Sequence, residues 1–174
     1  MRLFIAIEFD EQTKANILHV QRQLATLGQG RFTHRENLHL TLAFLGEVPL
    51  SRVAAIRRAM DRTAVEALTL VFDHTGRFRR EGGDIWWIGL AKHQRLLELQ
   101  QELVQHLAAE GFALEKRPFT PHITLARQVQ LTVQPKEREL LEEPFEAKVD
   151  GISLMRSQRM DGRLIYTPQY RKKC

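Results

Sequence analysis

Cysteine is almost absent from the sequence: one residue among 174, Cys174, at the very end. That excludes an intramolecular disulfide, a Cys-rich metal site and an internal thiol nucleophile, and it makes the cytoplasm the expected compartment. Long hydrophobic runs are also missing. Nowhere do about 18 uninterrupted apolar residues occur, so no spanning helix is expected. The short apolar run within Arg2 to Ile7 is followed by acids without a small-residue cleavage site and reads as a first strand, not a signal peptide. No Gly-x-x-x-x-Gly-Lys-Ser/Thr phosphate loop is present. Lys148-Val149-Asp150-Gly151 imitates the Lys-x-Asp-Gly string of nucleotidyltransferase ligases, but Asp-Gly is a common turn and the rest of such a site is missing. His34 stands five residues before His39 without forming a metal pair, and His19, His74, His93 and His106 are scattered, so neither metal nor cofactor is expected.

What is present describes an ordinary globular protein, 43% hydrophobic and 27% charged. Lys and Arg outnumber Asp and Glu by 26 to 21, a net charge of +5. The excess is mostly Arg, whose planar fork suits phosphate oxygens, so nucleic acid or a nucleotide ranks above a membrane as partner. The length, residues 1–174, suits one domain or two small lobes sharing a cleft.

Alternation at Leu3, Ile5 and Ile7 predicts a strand buried on both faces. Asp10 caps an expected helix through Ile17, Val20 and Leu24, ended by Gly28. A strand follows over Leu38 to Leu45, then a helix from Pro49 to about Ala67. Leu68 to Phe72 and Ile85 to Leu90 read as antiparallel strands around a polar turn, Gly76 to Gly83. The clearest helix runs from Gln94 to Glu110 and is stopped by Gly111. After it come a strand through His122 to Leu125, an acidic connection containing Pro135, and strands around Ala147 to Met155 and Leu164 to Tyr166.

One string returns: His39-Leu40-Thr41-Leu42-Ala43 is echoed by His122-Ile123-Thr124-Leu125-Ala126. In a strand, His and Thr two positions apart share one face while the Leu and Ile residues between them take the other. Two such strands facing each other across a groove bring together two imidazoles and two hydroxyls. A neutral imidazole removes a proton, an imidazolium supplies one to a leaving oxygen, and the hydroxyls hold nonbridging phosphate oxygens. That set suits a phosphodiester and requires no metal. Because the motifs are nearly symmetric, the residues alone leave acid and base unassigned.

At these motifs the chain resembles the 2H phosphoesterase superfamily, specifically the bacterial RNA 2',3'-cyclic phosphodiesterases of the 2'-5' RNA ligase family. The resemblance takes in Arg2 to Ile7, Asn37 to Gly46, Pro118 to Arg127 and, more loosely, Gly162 to Tyr166. It implies an α+β fold of two pseudo-symmetric lobes, each an antiparallel sheet backed by helices, with one His-x-Thr strand per lobe at a central cleft. It also implies metal-independent opening of RNA 2',3'-cyclic phosphate ends to 2'-phosphomonoesters, with His122 as proton acceptor and His39 as proton donor. Some relatives also join or cleave 2'-5' linkages without ATP. The expected partners are RNA ends or oligonucleotides carrying a 2',3'-cyclic phosphate, and the expected state is a monomer. The Gly76 to Gly83 loop and the Pro135 connection have no motif that aligns. Two other classes remain to be tested against this reading: a non-catalytic RNA-binding module and a metal-dependent hydrolase.

Around the motifs, Thr41 and Thr124 are expected to bind the phosphate. Plain alternation turns Arg127 away from His122 and Thr124; only a bulge brings it to their face as a phosphate or RNA contact. The same parity assigns Phe44 to the core. Of Trp86 and Trp87 one faces inward and the other is free to stack on a base, with no way to choose from sequence. Arg77, Arg79 and Arg80, and likewise Arg156, Arg159 and Arg163, either track RNA or are solvated. Tyr166 is read first as a buried strand aromatic.

Overall fold

The computed structural model describes residues 1–136 and 140–174. The chain runs β1 (Arg2–Glu8), α1 (Glu11–Ala25), β2 (Gly28–Phe32), β3 (His39–Glu47), α2 (Val53–Arg62), β4 (Leu68–Phe78), β5 (Asp84–Leu90), α3 (Gln94–Ala109), β6 (His122–Leu131), β7 (Phe145–Val149), β8 (Gly151–Met160) and β9 (Arg163–Lys173). The strands form two sheets, β3-β1-β8-β9 and β2-β6-β5-β4-β7. Every pairing within them is antiparallel.

The helices cross between the sheets. Helix α1 leaves β1 of the first sheet and packs against β2, β6 and β7 of the second, whereas α3 leaves β5 of the second and packs with α2 beneath the first. Leu3, Ile5 and Ile7 of β1, Ile17, Val20 and Leu24 of α1, and Leu96, Leu99, Leu103 and Leu107 of α3 lie in one continuous core. Each such side chain stabilises the fold by roughly 1.5–3 kcal/mol relative to exposure. Strand β1 is buried on both faces: Leu3, Ile5 and Ile7 enter this core, and Phe4 and Ala6 pack with Met155 and Tyr166 on the other side. Asp10 caps α1 as expected, accepting from the Thr13 N–H at 2.8 Å.

Several expected boundaries move. Gly28 does not terminate α1, which ends at Ala25; it opens β2, where any Cβ would overlap the β6 backbone at Gln130. The second helix begins only at Val53, after a 3-10 turn at Leu50–Arg52, and stops at Arg62. Strand β4 continues through Gly76 and Arg77 to Phe78, shortening the polar turn. Ala147 to Met155 is divided by Asp150: β7 joins the second sheet and β8 the first. Asp150 accepts from the Arg171 guanidinium at 3.0 Å at this passage, which gives the Lys148 to Gly151 string a structural setting. Gly111 does follow α3, with a left-handed φ of +91°. The acidic connection after Pro135 runs into 137–139, outside the described residues, and re-enters the core at Leu140 and Leu141.

Candidate active site

Strands β3 and β6, one from each sheet, contact each other where the lobes meet. Each starts on its histidine. In both, the ring Nδ1 lies 2.7 Å from a backbone carbonyl two residues earlier, Asn37 for His39 and Thr120 for His122. A carbonyl only accepts, so Nδ1 carries the hydrogen in both rings and Nε2 is left for chemistry. The Thr41 hydroxyl stands 3.0 Å from Nε2 of His39. Asn37 is itself tied across the sheet, its amide donating to Leu164 O of β9 at 3.0 Å.

The two motifs share a further feature. Strand β1 pairs Ile5 with Ala43 and Ala6 with Thr41, passing over Leu42. Strand β5 pairs Trp86 with Ala126 and Trp87 with Thr124, passing over Leu125. In each copy the strand bulges at the same leucine, both it and the following alanine are buried, and the parity reverses beyond them. Phe44 is therefore not core: it is 51% exposed and pairs with Phe4, which touches His39. Arg127, at the matching position of the second copy, is brought by its bulge to the face of His122 and Thr124.

At each bulge a helix glutamine donates to the leucine carbonyl, which in the second copy also accepts from the Thr33 N–H at 3.0 Å. Gln21 of α1 donates to Leu125 O at 2.9 Å and to Thr33 O at 2.8 Å, and Gln100 of α3 donates to Leu42 O at 3.2 Å. Sequence reading passed over both glutamines. The available signal was a Gln at position 21 on the stripe that buries Ile17 and Leu24.

The surroundings of the histidines differ. His39 packs against Phe4 at 4.8 Å and edge-on against Tyr166 at 5.1 Å. Burial under these rings holds its pKa below the ordinary histidine value; the Asn37 carbonyl and the Glu8 carboxylate act in the opposite direction. Glu8 lies directly opposite His39 in the β1–β3 ladder and accepts from the buried Ser153 hydroxyl at 2.5 Å. It too was missed, since a cross-strand partner leaves no mark within either motif. His122 is flanked by Phe78 at 5.5 Å and Trp87 at 5.7 Å. Trp87 is thus the cleft tryptophan, and Trp86, 6% exposed, belongs to the core.

Tyr166 is half-buried, and it joins the two sides. Burial raises its pKa, opposed by the positive charges of Arg127, Arg2 and Arg159. A tyrosine in contact with His39 is therefore within electrostatic reach of Arg127 from the other motif strand. Of the arginine clusters, Arg159 belongs to this neighbourhood, whereas Arg77 is engaged with Gln134, Asp84 and the Trp86 ring. Among the described residues no three His, Cys, Asp or Glu side chains are grouped to hold a metal ion.

Two antiparallel sheets backed by helices, whose His-x-Thr strands contact each other where the sheets meet, match the architecture expected of a two-histidine phosphoesterase. A model of the 2'-5' RNA ligase superfamily matches residues 10–161, and the chain belongs to that superfamily. It is 31% identical to an RNA 2',3'-cyclic phosphodiesterase of Thermotoga maritima over 98% of this chain and 94% of the relative. The likeness to the RNA 2',3'-cyclic phosphodiesterase of Escherichia coli is 32% over 96% and 93%. Among solved structures, E. coli LigT in complex with 3'-AMP superposes with a TM-score of 0.82 and 31% identity, covering 99% of this chain and 97% of that one.

Proposed function

We propose that the protein hydrolyses 2',3'-cyclic phosphodiester ends of RNA to 2'-phosphomonoesters, using His39 and His122 as an acid/base pair. The observation that carries this reading is the matched presentation of two Nε2 atoms, each fixed by an Nδ1–H bond to the carbonyl two residues earlier, on strands meeting between the lobes. Membership of the superfamily and the activity named for the T. maritima and E. coli relatives point the same way.

In the reaction, Nε2 of His122 takes a proton from water as the water oxygen bonds to phosphorus. The bond from phosphorus to the 3' oxygen breaks, and Nε2–H of His39 protonates that oxygen. The Thr41 and Thr124 hydroxyls donate to nonbridging oxygens, and Arg127 offsets the charge that builds on them. Glu8 supports His39 as the donor: a carboxylate beside the ring favours imidazolium against the burial that disfavours it, and an arriving phosphate anion adds to the same side. With a ribose hydroxyl in place of water the same groups join 2'-5' ends without ATP.

The reading includes a monomer acting on RNA ends in the cytoplasm. Among the described residues no helix is long and apolar enough to cross a membrane. Incubation with RNA bearing a 2',3'-cyclic end, followed by identification of the product isomer, tests the proposal. A 2'-phosphate is expected; a 3'-phosphate reverses the leaving group, and tight binding without turnover makes the protein an RNA-binding module.

A further inference from the structure

His74 was set aside in the sequence as one of several scattered histidines, yet the fold brings it onto the sheet face that carries His122. Strand β4 pairs Phe72 with Leu90 and His74 with Gly89, so the bulge at Asp73 turns His74 away from the core. Gly89 is in turn paired with His122. His74, Gly89 and His122 thus form one row across three strands, about 10 Å from end to end at the ladder spacing.

Two glycines make the row usable. A Cβ at Gly89 would overlap the His74 imidazole, so the ring lies over β5, leaning toward His122. A Cβ at Gly76 would overlap the Trp87 ring, which rests between the two histidines, 5.6 Å from His74 and 5.7 Å from His122. His74 is half exposed, and its Nδ1 lies 2.6 Å from an Asp73 carboxylate oxygen. A carboxylate accepts, so Nδ1 carries the hydrogen and Nε2 is the nitrogen left for a ligand. Arg80 lies over Phe78, at 5.6 Å, on the same face of β4.

We propose that Asp73 and His74 form a subsite for the phosphodiester of the nucleotide next to the cyclic end. This rests on the reading that His39 and His122 hold the terminal phosphate. Asp73 orients the ring, and Nε2–H of the imidazolium donates to a nonbridging oxygen, so that charges alternate from carboxylate to ring to phosphate. Trp87 lies between the two phosphates as a face for the intervening base or ribose. His74 is a binding residue, and its contribution exists only for a substrate longer than one nucleotide.

The test compares a mononucleoside 2',3'-cyclic phosphate with a trinucleotide ending in the same cyclic phosphate. For His74→Ala, kcat/KM on the trinucleotide is expected to fall on the order of tenfold, mainly through KM, with the mononucleotide unaffected. Asp73→Asn gives a smaller loss confined to the trinucleotide. Unchanged trinucleotide kinetics, or equal losses on both substrates, overturn the subsite. If the wild-type protein opens neither substrate, the hydrolase reading fails by itself. Equilibrium binding of a trinucleotide 2'-phosphate then decides the subsite: weakening by His74→Ala supports it, and unchanged binding overturns it.

Discussion

Glu8 gives the first motif something the second motif does not share. Its carboxylate faces His39 across β1 and β3 and is held there by Ser153. Burial lowers the His39 pKa and Glu8 raises it, so Glu8→Gln is expected to move the His39 titration to lower pH, followed by NMR of the ring proton. Less imidazolium is then available, and kcat falls on the order of tenfold while Glu8→Asp retains most activity. An unmoved titration removes Glu8 from the account. At this scale the sequence singled out His39, Thr41, His122 and Thr124 as candidates, because strand alternation depends only on neighbours. It could not reveal Glu8, whose partner lies 31 positions away across a ladder, and it misplaced Phe44 because alternation assumes an unbroken strand.

The strands themselves depend on two glutamines. Each motif bulges at its leucine, and a helix from beneath the sheet donates to that leucine's carbonyl: Gln100 to Leu42 O, and Gln21 to Leu125 O beside the Thr33 backbone N–H. Replacing Gln21 with Leu leaves Thr33 O without this donor and weakens the bulge that aims Arg127. The expected cost is about 1–3 kcal/mol in chemical denaturation. Activity should fall through kcat more than through KM, because the reacting groups lose register; a stability loss with intact kcat would separate the bulge from function. The long apolar periodicity of α3 was legible, as was the capped start of α1. Strand β2 was not, since Gly28 and Gly30 are there to let β6 approach, and a glycine after a helix reads equally well as its terminator. The division of Ala147 to Met155 at Asp150 also escaped, because both pieces have strand composition and only the tertiary fold sends them to different sheets.

As a whole the molecule is two sheets laced by crossing helices, so the two motif strands β3 and β6 touch and both lobes share one core. Its +5 charge favours anionic substrates, and rising salt is expected to raise KM for RNA ends while leaving kcat nearly constant. Excess chelator should leave the rate unchanged, because the acid/base pair and the threonines complete the chemistry; loss of activity restored by a divalent ion would favour metal-dependent hydrolysis. The two-lobed arrangement came from the family resemblance at the repeated motif, whereas the crossing of α1 and α3 was not legible, because an amphipathic helix does not record which sheet it covers.

In the proposed reaction His39 and His122 act as one unit on one phosphate. The rates of His39→Ala, His122→Ala and the double variant on RNA with a 2',3'-cyclic end decide this, with folding checked by circular dichroism. Each single substitution should abolish hydrolysis, and the double should be no slower than either, as for groups that work only together. Full activity in either single variant, or losses that multiply in the double, would contradict it.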